Sequence, residues 1–471
     1  MRSHTAGKDK GIGVKSTPVC PIDTGRYGSP EMKAIFEEER RLENILKVEA
    51  AVAYAHATVG NIPKAAGEEI AKKATTKYVT VQRRNEIDRM IGHDLMAAVR
   101  ALTEVCEGEG KKWVHFGLTS NDVEDTATAL QFKEALEIIE KDLIQLENVL
   151  KELARKHRDL VMVGRTHGQH IGVITLGLKF AVWLREIARH IQRLGELRKR
   201  VLVGKIMGAV GTGAGLGEKS IEVQEIALKR LGLQPADMVT QIIQRDIHSE
   251  LVSFLANVAC SLDKFGTEIR NLQRTEIQEL MEPFEAERQV GSSAMPAKRN
   301  PVTCERVCSL AKLMRSLTIT SYENIVLWHE RDLTNSANER FLFSLAFILL
   351  DEMLKKMIIV LSGVVVFPQN MKRNLELTGG LILSERVTGK LVEKGMGRQE
   401  AHELVRKCSM KALATGISFK DSLICTDEVS KRLSESEIDY CLDYSTYLGV
   451  AGKLVDNAVK MTEREQSSHD A

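Results

Sequence analysis

The sequence predicts an all-α fold divided into several domains. Only nine prolines interrupt its 471 residues, and in the long stretches between them apolar residues recur at helical spacing, without the alternation that strands show. Because this length exceeds the size at which a single hydrophobic core stops growing, we expect two or three domains that together bury a large core.

The composition is typical of a soluble globular protein. Apolar residues make up 43% of the chain and charged residues 28%. The net charge of +2 lacks the basic excess that nucleic-acid-binding proteins usually carry. The sequence also lacks the long apolar run that predicts a membrane span. We therefore expect no nucleic acid and no membrane among the partners.

The cysteines indicate a reducing compartment. All eight are scattered along the chain, and none forms a Cys-x-x-Cys pair, so we expect free thiols in the cytoplasm. Cys304 and Cys308 lie four positions apart on a predicted helix, but no second Cys or His pair is nearby, so we expect no metal site. The basic, Gly-rich residues 1–20 are predicted to form a disordered arm.

Residues 21–116 are predicted to form a helical N-terminal domain. Apolar residues recur at helical spacing over residues 30–59, and the acidic residues at the start of this stretch suit a helix N-terminus. Gly and Pro in residues 60–63 end that helix. Two further helices are expected over residues 64–75 and 84–106.

The next segment, residues 117–364, is predicted to form a central bundle of five long helices. Its clearest pattern is an a/d seam with alternating steps of three and four, formed by Leu136, Ile139, Leu143, Leu146, Leu150 and Leu153. Similar long patterns cover residues 176–201, 219–231, 247–280, 301–319 and 336–361. The pattern leaves open whether neighbouring helices of one chain or of different subunits fill these seams, because both use the same packing chemistry.

A break in the helical pattern at residues 364–368 marks the start of a small C-terminal domain of shorter helices, predicted for residues 365–471. The polar tail from Glu463 onward is expected to fray. Residues 208–217 are rich in glycine, but they lack the preceding strand and the Gly-Lys-Ser/Thr ending of a phosphate loop. We interpret them as a connection between helices.

Five stretches concentrate chemically active groups. The segment from Gly291 to Pro301 combines flexible Gly and Ser residues with cationic and amide side chains, which predicts a mobile loop for an anionic ligand. A plain polar linker is the alternative. The other four stretches are residues 25–30 before the first helix, Gly92-His93-Asp94 inside a helical pattern, residues 115–122 before a helix, and residues 164–170 with two imidazoles.

A single histidine is more often structural than catalytic, and the hydroxyls of Thr119 and Ser120 either cap a helix or hold an anion at its N-terminus. Taken together, these stretches suggest one site assembled from distant segments.

The loop and its surroundings resemble a known signature. The fumarase/aspartase superfamily carries Ser-Ser-x-Met-Pro-x-Lys-x-Asn followed by a Glu five positions after the Asn, and residues 292–300 with Glu305 match it. Within that superfamily the chain resembles the adenylosuccinate lyases from about Arg26 to Val459. The stretches that carry this resemblance are Arg26-Tyr27, Gly92-His93-Asp94, Thr119-Ser120, Thr166-His167, Thr240-Gln241, Trp328 to Asp332 and Ser336 to Arg340.

The resemblance implies a reaction and an assembly. These enzymes eliminate fumarate from adenylosuccinate to give AMP, and from the succinylated carboxamide ribonucleotide SAICAR to give AICAR, in purine biosynthesis. The family implies a homotetramer with a 20-helix core, in which each active site is built from three chains. It implies no cofactor and no metal.

The resemblance also implies a role for each matching residue. The catalytic set is Ser292 as base, His167 as acid, His93 as second imidazole, Lys298 as cation for the developing charge, and Glu305 as the carboxylate beside the catalytic histidine. A serine becomes a base only if closure of the loop favours its alkoxide. The substrate-binding set is Arg26, Tyr27, Gly92, Asp94, Thr119, Ser120, Thr166, Gln241, Ser293, Asn300, Arg306, Arg331, Ser336 and Arg340.

One position departs from the family pattern, and the sequence is also compatible with two other functions. Ala297 stands where these lyases often carry an imidazole or aromatic side chain. Argininosuccinate lyase is the enzymatic alternative, although its substrate has no phosphate to match the cations at Arg26, Arg331 and Arg340. A non-catalytic assembly protein, like the lens crystallins related to the superfamily, is the other, although Ser292, His167 and Lys298 are intact. The residues also leave Ser293 open as the base instead of Ser292.

Overall fold

Helices dominate the part of the chain that the structure, a computed structural model, describes: residues 20–284, 295 and 297–469. In these residues the α-helices are α1 (Pro30–Ile35), α2 (Glu38–Val59), α3 (Lys64–Lys73), α4 (Val81–Ile91), α5 (Asp94–Val105), α6 (Ser120–Lys156), α7 (Leu176–Val201), α8 (Ser220–Leu231), α9 (Arg245–Leu272), α10 (Val302–Glu323), α11 (Ser336–Ser362), α12 (Pro368–Glu376), α13 (Ser384–Glu393), α14 (Arg398–Thr415), α15 (Phe419–Ile424), α16 (Asp427–Ser430), α17 (Glu435–Leu442) and α18 (Ala451–His469). The prediction of an all-α class is confirmed.

The strands of the described residues are short and occur in pairs. They are β1 (Val161–Thr166), β2 (Gln169–Thr175), β3 (Val203–Gly204), β4 (Gln234–Pro235), β5 (Leu280–Met281) and β6 (Val365–Val366). β1 and β2 form an antiparallel hairpin with an irregularity between Gly164 and Arg165. Short 3₁₀ turns cover Glu109–Lys112, Ala214–Leu216, Leu381–Leu383 and Tyr444–Thr446.

The five long helices α6, α7, α9, α10 and α11 share the main hydrophobic core. Leu136, Ile139, Leu143, Leu146 and Leu150 of the α6 seam are fully buried within the single chain. Of the two arrangements that the pattern left open, the chain itself therefore fills this seam. The bundle explains why the periodicity of these segments was so regular, since each of these helices has to present one continuous apolar stripe to its neighbours.

Four predicted segments differ from the structure, two of them by a break inside a predicted helix. The helix expected over residues 30–59 is broken at Glu37, whose extended backbone (φ −66°, ψ 150°) separates α1 from α2 without disturbing the apolar spacing. The helix expected over residues 84–106 is broken at Gly92, which takes a left-handed conformation (φ 66°) and ends α4. Gly92-His93-Asp94 is therefore a junction between helices and not a helix interior.

The helix over residues 219–231, predicted to belong to the bundle, lies elsewhere. α8 has only twelve residues, and its apolar side chains pack with α2, α5 and the first turns of α6 in a second core. A third core joins α13 to α17.

The C-terminal tail is helical and anchored up to His469, the last residue described, and not frayed as predicted. Val455 and Val459 of α18 pack into the main core. Beyond them, Glu463 pairs with Arg155, and Arg185 donates to both carboxylate oxygens of Glu465 at 2.7 Å. Polar side chains here form ion pairs across helices, which composition alone does not reveal.

Gly177 lies where α7 crosses the end of α6 and leaves no room for a side chain. An added Cβ would lie 2.6 Å from the Cα of Arg158 and 2.7 Å from the carbonyl oxygen of Ala154. Gly177→Ala is therefore expected to lower the free energy of unfolding by about 1–3 kcal/mol, the usual cost of overpacking. The measurement is the midpoint of urea unfolding.

Gly195 on the same helix provides the control, because an added Cβ there meets nothing within 4 Å. Gly195→Ala is expected to be neutral or to stabilise by about 0.5–1 kcal/mol through the higher helix propensity of alanine. Equal midpoints for the two variants would contradict the packing argument.

None of the helices in the described residues is both long enough and apolar enough to cross a membrane.

Candidate active site

The first group of predicted site residues, Arg331, Ser336 and Arg340, lines a pocket between α6 and α11, which we call the arginine pocket. Arg41 and Asn121, which were not among the predicted site residues, line it as well. Arg331 donates to the side-chain oxygen of Gln241 at 3.0 Å. Arg340 lies 3.1 Å from the carboxylate of Asp94. The fold thus brings together residues that are nearly 250 positions apart in the sequence, as the hypothesis of one assembled site requires.

Asp94 is held between two cations in this pocket. Burial opposes its ionisation, but the charges of Arg41 and Arg340 outweigh burial and lower the pKa of Asp94. The neighbouring Glu124 has a raised pKa, because it is buried and faces the negative charge of Asp94. The pocket therefore contains both signs of charge, and its guanidinium groups are of the kind that bind anionic ligands.

His93 and Thr119 both stand at helix N-termini beside this pocket. The Nδ1 of His93 accepts from the backbone N–H of Met96 at 3.4 Å and so caps α5. Thr119 precedes α6, and its backbone N–H donates to Asp122 at 2.8 Å. Thr119 and Ser120 are thus at a capped helix start, as one of the two sequence interpretations predicted. The other, contact with an anion, is compatible with the same geometry.

Asp122 and Lys205 form a buried pair that the sequence interpretation missed. Both side chains are fully buried, and the Lys205 ammonium donates to the Asp122 carboxylate. The same carboxylate accepts from the backbone N–H groups of Met207 (2.9 Å) and Gly208 (3.1 Å). The glycine-rich connection that begins at Gly208 is therefore fastened to the start of α6. A single Asp two residues after Ser120 carries no local signal of this role.

The second group surrounds the N-terminal loop. The guanidinium of Arg306 lies 5.6 Å from the ring centre of Tyr27, within the range of a cation–π contact. Glu352 of α11 accepts from the backbone N–H of Gly28 at 3.2 Å and lies 3.6 Å from Arg306. Gly28 needs its positive φ of 79°, and a Cβ there would lie 2.4 Å from Ile348. The exposed Arg26 is thereby held on a fixed loop.

The third group is the tip of the β1–β2 hairpin. Thr166 and His167 are exposed there, and His167 and Gly168 both have positive φ values, 53° and 76°. Below the tip, Arg165 donates to both carboxylate oxygens of Glu279, at 2.9 and 2.7 Å. The hairpin was not predicted, because its short apolar strand reads equally well as a piece of buried helix.

The fourth group lies where the signature loop meets α10. Lys298, Asn300 and Glu305 line one open groove with the end of α9. Glu282 supports this end of the loop by accepting from the backbone N–H groups of Thr303 (3.0 Å) and Cys304 (2.9 Å). Ser292 and Ser293, the two candidate bases, lie outside the described residues.

The described residues show no cluster of metal ligands: no three or more His, Cys, Asp or Glu side chains among them are grouped to hold an ion. Cys304 and Cys308 are buried and free. Burial, followed by the charge of Glu282, raises the pKa of Cys304, so its thiol stays protonated.

His248 is buried on the first turn of α9 and links stability to pH. Burial, followed by the charge of Arg245, lowers its pKa to about 3 from an ordinary value of 6.5. Between these values the unfolded chain binds a proton that the folded chain does not, so the free energy of unfolding falls as the pH is lowered from about 6.5 toward 3. His248→Gln is expected to make this loss shallower.

The check is urea unfolding of both proteins near pH 7 and near pH 5. The same pH dependence in the variant and the wild type would contradict the assignment to His248.

Comparison with known proteins finds two matching family models. A family model described as "Lyase" matches residues 25–314, and one described as "Adenylosuccinate lyase C-terminus" matches residues 380–458. The adenylosuccinate lyase of Pyrococcus abyssi is 54% identical over 94% of this chain and 98% of its own length. That of Bacillus subtilis is 40% identical over 90% of this chain and 96% of its own.

Solved structures show the same fold. A fumarate lyase from Mesorhizobium sp. BNC1 matches with a TM-score of 0.85 at 32% identity, covering 92% of this chain and 98% of that one. The 3-carboxy-cis,cis-muconate lactonizing enzyme of Pseudomonas putida matches with a TM-score of 0.86 at 35% identity, covering 95% and 100%. With the helical fold and near-full-length relatives in agreement, the chain belongs to the adenylosuccinate lyase family of the fumarase/aspartase superfamily.

Proposed function

We propose that this protein eliminates fumarate from adenylosuccinate, yielding AMP, and from SAICAR, yielding AICAR. The observation that carries the proposal is the 54% identity, over almost the whole of both chains, to a relative named adenylosuccinate lyase. The arginine pocket supports it, because the guanidinium groups of Arg331 and Arg340 beside the hydroxyl of Ser336 suit the phosphate of a nucleotide. A substrate without phosphate would have no group to match these cations.

The chemistry divides into removal of a proton, stabilisation of charge and protonation of the leaving nitrogen. Ser292 is the base, and Lys298 and Asn300 face the negative charge that develops on the substrate carboxylate. His167 is the acid, and Glu305 is its carboxylate partner. The exposed position of His167 at a hairpin tip leaves its imidazole accessible to a substrate.

The remaining site residues bind the substrate. Arg26 joins Arg331, Ser336 and Arg340 at the phosphate, and Tyr27 and Arg306 hold the nucleotide end. Hydroxyl and amide groups hold the succinyl carboxylates: Thr119, Ser120, Thr166 and Gln241. His93, Gly92 and Asp94 complete the wall of the pocket. Asp94 forms an ion pair with Arg340 there.

The active protein is a cytoplasmic homotetramer in which each site takes residues from three chains. Two features support this assembly. Large apolar side chains stay exposed along α10, α11 and the segment between them, including Val326 and Trp328 at 77% and Phe341 at 69%. Surfaces of this kind mark protein interfaces. In addition, the hairpin tip and Lys298 are exposed and can complete a site on another chain.

The three-domain division at residues 21–116, 117–364 and 365–471 belongs to the same proposal. The third core supports the C-terminal domain, because it is built from α13 to α17 alone. The second core crosses the first boundary, because α8 and the first turns of α6 pack there with α2 and α5.

The test is an absorbance assay of the purified protein with adenylosuccinate, SAICAR and argininosuccinate as separate substrates. We expect turnover of the first two and none of the third, with fumarate as a product. Turnover of argininosuccinate alone would identify the other lyase, and no turnover of any substrate by a folded tetramer would favour a non-catalytic assembly protein.

A further inference from the structure

A buried arginine lies beneath the arginine pocket and lines its floor. Arg245 is the first residue of α9 and is 4% exposed. It donates to both carboxylate oxygens of Asp125 on α6, each at 3.0 Å, and to both of Glu339 on α11, at 2.8 and 3.1 Å. A fifth bond, at 2.7 Å, reaches the carbonyl oxygen of Ile243. Its guanidinium thus binds three segments at once.

The arrangement uses properties that only arginine has. The planar guanidinium carries five N–H donors in a fixed fork, so two carboxylates can be bound side by side with defined directions. Burial opposes the charge of Arg245, but Asp125 and Glu339 outweigh burial and raise its pKa. A lysine keeps the charge but presents a single point donor, so it cannot hold both carboxylates in the same geometry.

Each partner of Arg245 belongs to a segment that carries proposed substrate contacts. Asp125 lies on the first turns of α6, shortly after Ser120, and also accepts from the backbone N–H of Ile243 at 2.8 Å. Ile243 follows Gln241, whose side chain meets Arg331. Glu339 lies between Ser336 and Arg340 on the first turn of α11 and accepts from Asn335 at 3.0 Å.

We propose that Arg245 is a positioning residue that sets the spacing between Gln241, Arg331 and the start of α11, and so shapes the phosphate end of the substrate pocket. This inference rests on the proposed function. Arg245 itself does not touch the reacting atoms. Its role is to hold the three segments so that the cations above it converge on one anionic group, because a shift of about 1 Å in such a clamp lowers its effectiveness severalfold to a hundredfold.

The test compares Arg245→Lys with the wild type in steady-state kinetics. We expect the KM for adenylosuccinate to rise by about tenfold, while kcat changes by less than about threefold, because uniform binding is lost and the reacting groups are intact. Inhibition by AMP, which has the phosphate, is expected to weaken in parallel. Inhibition by adenosine, which lacks it, is expected to stay the same.

Arg185→Lys is the matched control. Arg185 also joins two helices through a two-pronged contact, to Glu465 of α18, but it lies outside the proposed site. This variant is expected to lose some thermal stability without a change in KM. A purely structural role for Arg245 predicts the same behaviour for Arg245→Lys, so an unchanged KM and unchanged AMP inhibition would overturn the inference.

Glu339→Gln is the second variant, in case Arg245→Lys does not fold. It keeps the shape of the side chain and removes one charge, so α11 loses its strong attachment while Asp125 still holds Arg245. The same rise in KM and the same loss of AMP inhibition are expected. Turnover of adenylosuccinate by the wild type distinguishes failure of the proposed function from failure of this inference. An inactive wild type contradicts the proposed function. An active wild type whose variants have unaltered KM and AMP inhibition contradicts only the role of Arg245.

Discussion

Replacing His167 with asparagine is expected to lower turnover of adenylosuccinate by about 10²- to 10⁴-fold, the usual contribution of a general acid, without destabilising the protein. Asparagine has no group that can donate a proton near neutral pH. At the same time it tolerates the backbone of this position, where φ is 53°. Because Asn-Gly is the preferred pair in tight hairpin turns with two positive φ values, we expect a melting temperature equal to or higher than that of the wild type.

The combination of lost activity and retained or increased stability is the distinctive part of this prediction. It is measured by the absorbance assay and by thermal unfolding of the same preparation, with AMP binding as a check that the pocket is intact. His402→Asn on the exposed surface of α14 is the control and should change neither quantity. Turnover near the wild-type rate in His167→Asn would remove His167 from the role of acid.

Mixing two inactive variants, Ser292→Ala and His167→Asn, is expected to restore activity. If the two residues of one site come from different chains, random exchange in an equal mixture gives both wild-type residues to about one quarter of the sites. If both residues of a site come from the same chain, every site keeps one lesion and nothing is recovered. The measurement is turnover after subunit exchange, compared with each variant treated alone.

Exchange itself has to be verified in that experiment, by following a tagged variant into mixed tetramers on an affinity column. Mixed tetramers without activity would contradict sites shared between chains. A protein that runs as a monomer in sedimentation would contradict the assembly as well.

The regular parts of this fold were predictable from the sequence because their physics is local. α7 begins and ends at the residues where the apolar pattern over 176–201 does, and the α6 seam is buried as its spacing required. Errors arose where the backbone changes direction inside an unbroken pattern, as at Glu37 and Gly92. The hairpin was missed because six or seven residues are too few for a period to distinguish strand from helix.

The site residues likewise divide into those that local sequence patterns predicted and those that they did not. The residues named from the signature and its companion stretches were recognisable because each motif is contiguous, and the structure gathers Asp94, Gln241, Arg331, Ser336 and Arg340 around one pocket. The side chains that hold these residues in place could not be recognised from the sequence. Arg41 and Glu352 occur in ordinary helical patterns, where a charged side chain most often faces solvent.

The helical class, the bundle and the family signature follow from the order of residues along the chain, because apolar period and motif spacing are properties of neighbours in sequence. The tertiary structure alone decides which charges are buried together. Lys205 contacts Asp122, 83 positions away, and Arg245 contacts Asp125, 120 positions away. Residues so far apart in the chain form no sequence motif by which the pair could be predicted. Such pairs persist in the interior because each charge satisfies the other where water cannot, and that complementarity exists only once the helices have packed.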